Sequence, residues 1–296
     1  MLPRRNDEPI KRRTFTDFRE LVCAFGGREI VVVFRGYFDD AGKLSDPKSV
    51  SLVIGGFIGT MDRWESLFSQ WQPVLDRHGL SYFNGKECEH GNGEFSKYKD
   101  DKWKTPQNRW DVRLELASVI VESGLVGFVS GVVAADFKAL TPSEKKRIGK
   151  PFSLAAQTLV VIAKDWANHN RVYERFPYLF EAGSEGYGEF SEVFNQIMKH
   201  EIRRNAYRME SCGLVGKECI GAQAADLIAS EYSHCLNSIA TATDSGFKRP
   251  AVQELRKLKL ETKYHNSGTL AEMLAQPNSD YKPFRASRKD AISSNQ

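Results

Sequence analysis

No stretch of this 296-residue chain stays apolar for the ~18 residues that a membrane-crossing helix needs. A transmembrane protein of the helical type is therefore not expected. The N-terminal Met1-Leu-Pro-Arg-Arg-Asn-Asp-Glu has no apolar segment behind it, so no secretory signal is expected either. Cysteine is scarce: there are five, an odd number, and no C-x-x-C pair among them. That argues for free thiols in a reducing, cytoplasmic setting rather than a disulfide framework. A G-x-x-x-x-G-K-[ST] loop and a G-x-S-x-G elbow are both missing, which counts against a P-loop enzyme and an α/β-hydrolase. Charge of one sign is also lacking, at a net +4. The total alone does not mark a strongly basic partner-binder. Basic residues are nevertheless clustered at Lys11-Arg12-Arg13, Lys145-Lys146-Arg147, Arg203-Arg204 and from Lys248 to Lys263. Such patches can hold phosphate where the sum is modest, or can be no more than solvated helix faces.

What is present is a core. Hydrophobic residues make up 41% and charged residues 27%, the balance of a globular protein that buries apolar surface. Residues 1–25 read as a basic arm followed by a short helix over Phe15 to Phe25. The run Glu29-Ile-Val-Val-Val-Phe-Arg-Gly-Tyr-Phe-Asp39 is β-branched and aromatic, which predicts a central strand buried on both faces. Asp39-Asp40-Ala41-Gly42 is expected to end it in a turn. A second strand is expected over Ser49 to Ile58, with Gly55-Gly56 as a bulge or close approach.

Trp64, Leu67, Phe68, Trp71, Val74 and Leu75 form one helical stripe, for which Asp62 is the candidate N-cap. Asn84 to Asp101 is polar and aperiodic and reads as a long loop. A helix is expected from Trp110 to Ser123 and a strand from Leu125 to Ala134. A long helix from Phe152 to Asn168 and a short strand at Pro177 to Glu181 come next. Then follow a helix from Tyr187 to His200, an edge strand at Met209 to Val215, and an alanine-rich helix from Gly221 to Leu236. From about Gln276 the chain is polar and expected to fray. There is no internal repeat and no linker rich in Pro or Gly. The order of elements predicts an α/β domain over residues 26–240, a mixed sheet covered by helices, with residues 241–296 as a C-terminal extension and partly disordered tail.

Three acids stand in surroundings unlike those of ordinary surface charge. Asp39, with Asp40 beside it, ends an apolar strand, where a carboxylate costs desolvation energy and where ligands of α/β sheets gather. The plain alternative is a turn-forming Asp. Glu181 ends the apolar strand Pro177-Tyr-Leu-Phe, or is a solvated strand end. Asp226 lies among Ala222, Ala224, Ala225, Leu227, Ile228 and Ala229, small neighbours that let a helix approach a sheet closely; Gln223 shares its face. The competing reading is an acid favoured by the helix dipole. Three carboxylates brought together repel unless a cation neutralises them, and hard divalent ions suit such a set. Glu87 is a fourth candidate, or a loop acid. Cys88 and His90 beside it match no zinc-finger spacing. Trp103 and Trp110, among Lys and Arg, are either base-stacking rings or loop anchors.

At Phe38-Asp39-Asp40-Ala41-Gly42 and Gly221-Ala-Gln-Ala-Ala-Asp226-Leu-Ile-Ala the chain resembles the domain-of-unknown-function family numbered three thousand eight hundred. Gly55-Gly56, Trp64, Trp71, Phe83-Asn84 and Phe180-Glu181-Ala-Gly match further pieces of its pattern, in order, from about Ile30 to Leu236. The resemblance implies an RNase H-like fold and metal-dependent phosphodiester chemistry. It implies Asp39, Glu181 and Asp226 as ligands of Mg²⁺ or Mn²⁺, Asp40 and Glu87 as helpers, and DNA or RNA as partner. Asp40 replaces the family's usual Glu, Ala41 its Ser, and Asn84 a frequent His. The last two changes remove a hydroxyl and an acid–base group. Two further readings therefore stand beside the nuclease: a binding module of the same fold without turnover, and a hydrolase of a small phosphorylated molecule. Nothing in the sequence indicates the oligomeric state.

Overall fold

A computed structural model describes residues 33–42, 50–98, 106–183 and 187–276. The expected N-terminal arm and first helix, the start of the first strand at Glu29, Trp103 and the tail beyond Gln276 lie outside the described residues.

Six strands form one mixed sheet: β1 (Phe34–Ala41), β2 (Ser51–Thr60), β3 (Val126–Val133), β4 (Phe176–Glu181), β5 (Met209–Val215) and β6 (Leu260–His265). Their spatial order is β5-β4-β1-β2-β3-β6. The first three strands are antiparallel neighbours, β4 and β5 run parallel to β1, and β6 runs parallel to β3. The expected α/β sheet covered by helices is what folds, with β1 inside it and β5 at one edge.

Side chains alternate across a strand, and that alternation sorts the core into two layers. Tyr37, Val53, Phe57, Val129 and Val133 point to one face. There they meet α1 (Met61–His78), α2 (Gly85–His90), α3 (Pro106–Ser123) and α4 (Ile220–Ala240). Phe38, Ile54, Ile58, Phe128 and Val132 point to the other face, under the long helix Pro151–His169.

Four expectations change. Strand β1 runs on to Ala41, so Asp39 and Asp40 are ladder residues paired with Gly55 and Ile54 rather than turn residues. Helix α1 is N-capped at Thr60, and Asp62 falls one residue inside its first turn, where an acid suits the helix dipole. The stretch read as a loop from Asn84 contains α2, capped by the Asn84 side chain, and a 3₁₀ turn at Gly93–Tyr98. Its glycines hide the short helices from periodicity. The region beyond residue 240 also supplies β6 to the sheet. Leu-Glu-Thr-Lys-Tyr-His there is too charged to read as a strand, which is the character of an edge strand.

The pair Gly55-Gly56 is regular strand, not a bulge, and serves close approach. A Cβ on Gly56 would sit 2.1 Å from the Tyr37 carbonyl oxygen and 2.8 Å from the Phe38 Cα. Both obstacles are backbone and cannot swing aside. Gly56→Ala is therefore expected to cost at least the ~1–3 kcal/mol of core overpacking, read from the urea midpoint at unchanged slope. A midpoint equal to wild type would mean that the β1–β2 ladder is laxer than drawn.

Candidate functional site

The three acids singled out in the sequence converge on one end of the α4 face. Tyr37 and Asp39 share a side of β1, while Phe176, Tyr178 and Phe180 of β4 take the opposite layer. Period-2 alternation then turns Glu181 toward the face that Asp39 occupies. The register brings them level, because Phe38 pairs with Phe180 and the two acids follow one residue later.

Helix α4 closes the third side. Asp39 lies opposite Gly55 in the ladder, and a Cβ on Gly55 would stand 3.0 Å from both the N and the Cα of Ala229. The missing side chain lets α4 settle on the sheet at this point. Asp226 lies three residues before Ala229, about one turn back, and so comes over the strand ends. Ala222, Ala225 and Ala229 share this side of α4 and are all buried. Gly221, at the start of α4, packs flat on Tyr37, where a Cβ would meet the ring at 2.6 Å.

Asp226 is 8% exposed, and its carboxylate is held from the side of α2. The Gly85 amide donates to Oδ2 at 2.6 Å. A Cβ on Gly85 would lie 2.9 Å from Oδ1, so glycine is what permits this approach. Gln223, one turn earlier on α4, fixes the same segment. Its Oε1 accepts from the Phe83 amide and from Trp71 Nε1, each at 3.0 Å, and its Nε2 donates to the Lys217 carbonyl at 3.1 Å.

The electrostatics follow from this packing. Burial, and then the charges of Asp226, Glu181 and Asp40, hold Asp39 well above the ordinary carboxylate range. The Asp40 amide donates to Asp39 Oδ1 at 2.8 Å and offsets part of this. Burial raises Glu181 too, against a hydrogen bond from Asp39 that steadies its ionised form. Burial pushes Asp226 up to about 7 despite the Gly85 amide, with Glu181 adding to the rise and Arg113 opposing it. Asp39, Glu181, Asp226 and Asp40 thus form one interacting set of carboxylates.

Glu87 is engaged elsewhere. Its carboxylate accepts from the Tyr82 hydroxyl at 2.9 Å and the Glu94 amide at 3.0 Å. Lys217 links the two regions. Its ammonium lies 4.4 Å above the Tyr82 ring, 3.4 Å from the hydroxyl, and within the fields of Glu87 and Glu181. Lys217 belongs to none of the basic clusters visible in the sequence, and two of those clusters have internal work. Arg147 donates to the carbonyls of Leu274 and Gln276, and Arg204 pairs with Glu201 and Glu210. Cys88 is buried against Arg113, whose Nε donates to its sulfur at 3.2 Å.

Among the described residues, no three His, Cys, Asp or Glu side chains stand ready around a single ion position. In donor chemistry the set still fits a hard cation: oxygen ligands only, largely desolvated, with their charges in conflict. No helix among the described residues is long and apolar enough to cross a membrane. No protein-family model matches the chain, and no curated protein matches it. The family resemblance therefore rests on its motifs alone.

Proposed function

We propose that the chain is a Mg²⁺- or Mn²⁺-dependent nuclease of RNase H-like fold. The observation that carries this reading is the convergence on one face of two buried acids, Asp39 and Asp226, with the half-buried Glu181, where the ends of parallel β1 and β4 meet α4. The arrangement of an antiparallel β1–β2–β3 followed by parallel β4 and β5 supports the RNase H-like assignment, as do the motifs of the family it resembles.

In this reading Asp39, Glu181 and Asp226 hold the metal, with Asp40 contributing charge from the next ladder position. A divalent ion bound there would make water a nucleophile near neutral pH and offset charge on a phosphodiester. The chain's own part is to position. Gly85 and Gln223 orient Asp226, the glycine at position 55 sets the distance between α4 and the sheet, and Lys217 with Tyr82 forms a cationic rim where a phosphate can approach. Glu87 braces that rim through Tyr82. Nucleic acid, DNA or RNA, is the proposed substrate.

Two residues favour a second reading, a binding module without turnover: Ala41 and Asn84, which stand where the family pattern has a hydroxyl and an acid–base group. Calorimetric titration of Mn²⁺ into metal-free protein at pH 8 separates the two. The wild type is expected to bind, and both Asp39→Asn and Asp226→Asn to lose binding. Heat from the wild type that survives in both variants, or no heat from the wild type with and without an oligonucleotide, would overturn the nuclease reading. Salt-sensitive oligonucleotide binding without metal would then favour the module.

A further inference from the structure

Farther along α4 lies a second concavity that the carboxylate chemistry leaves unused. It is a cavity of about 520 Å³ between the start of α3, the C-terminal half of α4 and the chain from Thr241 to Ala251. That size suits a small organic ligand. Asn237 on its wall is eleven residues beyond Asp226, ~16 Å along the helix at 1.5 Å per residue. None of the four carboxylates lines the cavity, and its nearest approach to them is through Arg113, which lines it and donates to the Gly85 carbonyl.

Its lining has three parts. The first is a ring: Trp110 stands at the cavity and is 42% exposed, an expensive way to place an indole unless something covers it. The second is a polar edge of hydroxyls and an amide, Thr241, Thr243, Ser245 and Asn237. Thr241 donates to the Asn237 backbone carbonyl at 2.8 Å and touches Thr243 oxygen to oxygen at 3.1 Å, and the Asn237 side-chain Oδ1 accepts from the Ser51 hydroxyl at 2.7 Å, which leaves its Nδ2 as the group to offer. The third is a floor of charge that cancels itself. Arg249 is bonded to Glu231 at 2.7 Å and to Glu89 at 2.8 Å, and Arg113 is bonded to both of the same carboxylates. Two guanidinium groups thus face two carboxylates. At the rim, Lys248 pairs with Asp244 at 2.8 Å.

This cancellation decides the ligand class. A phosphate or carboxylate would find both guanidinium groups, and Lys248, already paired, and a cation would find the carboxylates already paired; the His234 ring on the wall is itself turned to Glu89 at 3.6 Å. An uncharged planar ring with donors and acceptors around its edge meets both the indole face and the hydroxyl wall. Stacking on an aromatic side chain is worth ~1–3 kcal/mol for a base and depends little on which base it is. We propose that this cavity binds an uncharged planar nitrogen heterocycle of the nucleobase class, stacked on Trp110. The inference does not rest on the carboxylate site. The ring could belong to a free nucleoside or to a base of a strand, and the chemistry is the same.

The test is a saturation-transfer NMR titration with adenosine, guanosine, cytidine and uridine, in EDTA so that nothing is held through metal. At least one nucleoside is expected to bind saturably, with its ring protons receiving more saturation than its sugar protons. Trp110→Ala should weaken that binding tenfold or more, while Trp110→Phe keeps most of it, and Asp39→Asn leaves it unchanged. Displacement of the nucleoside by a single-stranded hexanucleotide identifies a strand base as the natural occupant. Retention against the hexanucleotide identifies the free molecule. No saturable binding of any of the four at millimolar concentration, or equal binding by Trp110→Ala, overturns the proposal. Both results are independent of whether the carboxylates hold Mn²⁺.

Discussion

Asp39→Asn is expected to abolish metal-dependent cleavage of oligonucleotides while making the protein more stable at pH 8. The two effects have one cause. Asp39 is buried, repelled by Asp226, Glu181 and Asp40, and steadied mainly by the Asp40 amide, which can donate to an asparagine oxygen as well. Replacing the carboxylate with a neutral isostere removes a proposed metal ligand and a source of repulsion together. Loss of activity should exceed the ~10–100-fold that follows from losing an outer-shell partner.

The stability change has a pH signature. Asp39 and Asp226 both titrate higher in the folded protein than in the unfolded chain, where carboxylates ionise near pH 4. Between there and about pH 7, where Asp226 ionises when folded, the native state holds protons that the unfolded chain has released. Stability then falls as pH rises through this window. The advantage of Asp39→Asn should accordingly be clear at pH 8 and vanish at pH 4. Added Mn²⁺ should raise the wild-type melting temperature at pH 8 and hardly at pH 4, where protons occupy the ligands. Thermal melts at the two pH values, with and without Mn²⁺, together with cleavage of labelled DNA and RNA oligonucleotides, check all of this. A variant that cleaves normally, or that melts lower than wild type at pH 8, would contradict the site as described.

Much of this site could be read before any coordinates because the signal lies in context rather than in composition. An acid closing an apolar strand, as Asp39 and Glu181 do, and an acid without a polar stripe, as in Asp226, are violations of hydrophobic patterning; the alternation of strand side chains carries the first two to one face, and the packing of α4 on the sheet brings Asp226 to it. Gln223 was visible as a neighbour of Asp226, though not as the anchor of Phe83. Other parts were hidden for identifiable reasons. Gly85 looks like any loop glycine until Asp226 is seen beside it. Lys217 sits alone between β5 and α4, outside every basic cluster. Glu87 has the right neighbourhood in sequence, but its carboxylate turns to Tyr82 and the Glu94 amide. Strand β6 escaped because an edge strand need not be apolar. One further signal is present in the sequence. Arg113, Leu116, Ala117 and Ile120 share a single buried stripe of α3, and Glu231 occupies the same kind of position on α4 beside Leu227, Ile228 and Cys235. A charge on an apolar stripe announces a buried partner elsewhere in the chain, just as an acid at a strand end does.

That pair carries the other large expected effect. Arg113 is 1% exposed and Glu231 fully buried, and they are bonded to one another. Arg113 also donates to the Gly85 carbonyl and lies 3.2 Å from Glu89. Gly85 is the residue whose amide holds Asp226, so the guanidinium reaches the carboxylate site through a single residue. Arg113→Met preserves much of the volume and removes the charge. It leaves Glu231 buried with Arg249 alone and takes the donor from the Gly85 carbonyl. Breaking a buried pair in this way is expected to cost ~3–5 kcal/mol, roughly a 10 °C drop in melting temperature for a protein of this size. The double variant Arg113→Met with Glu231→Met discards both charges and leaves Arg249 its contact with Glu89, so it should recover part of the loss. Its cost should fall below the sum of the two single changes by more than the ~0.5 kcal/mol within which independent sites add. A single-variant cost under about 1 kcal/mol, the range of an exposed ion pair, would show that water reaches Arg113 and that the link from this network to Gly85 and Asp226 is not the rigid one described.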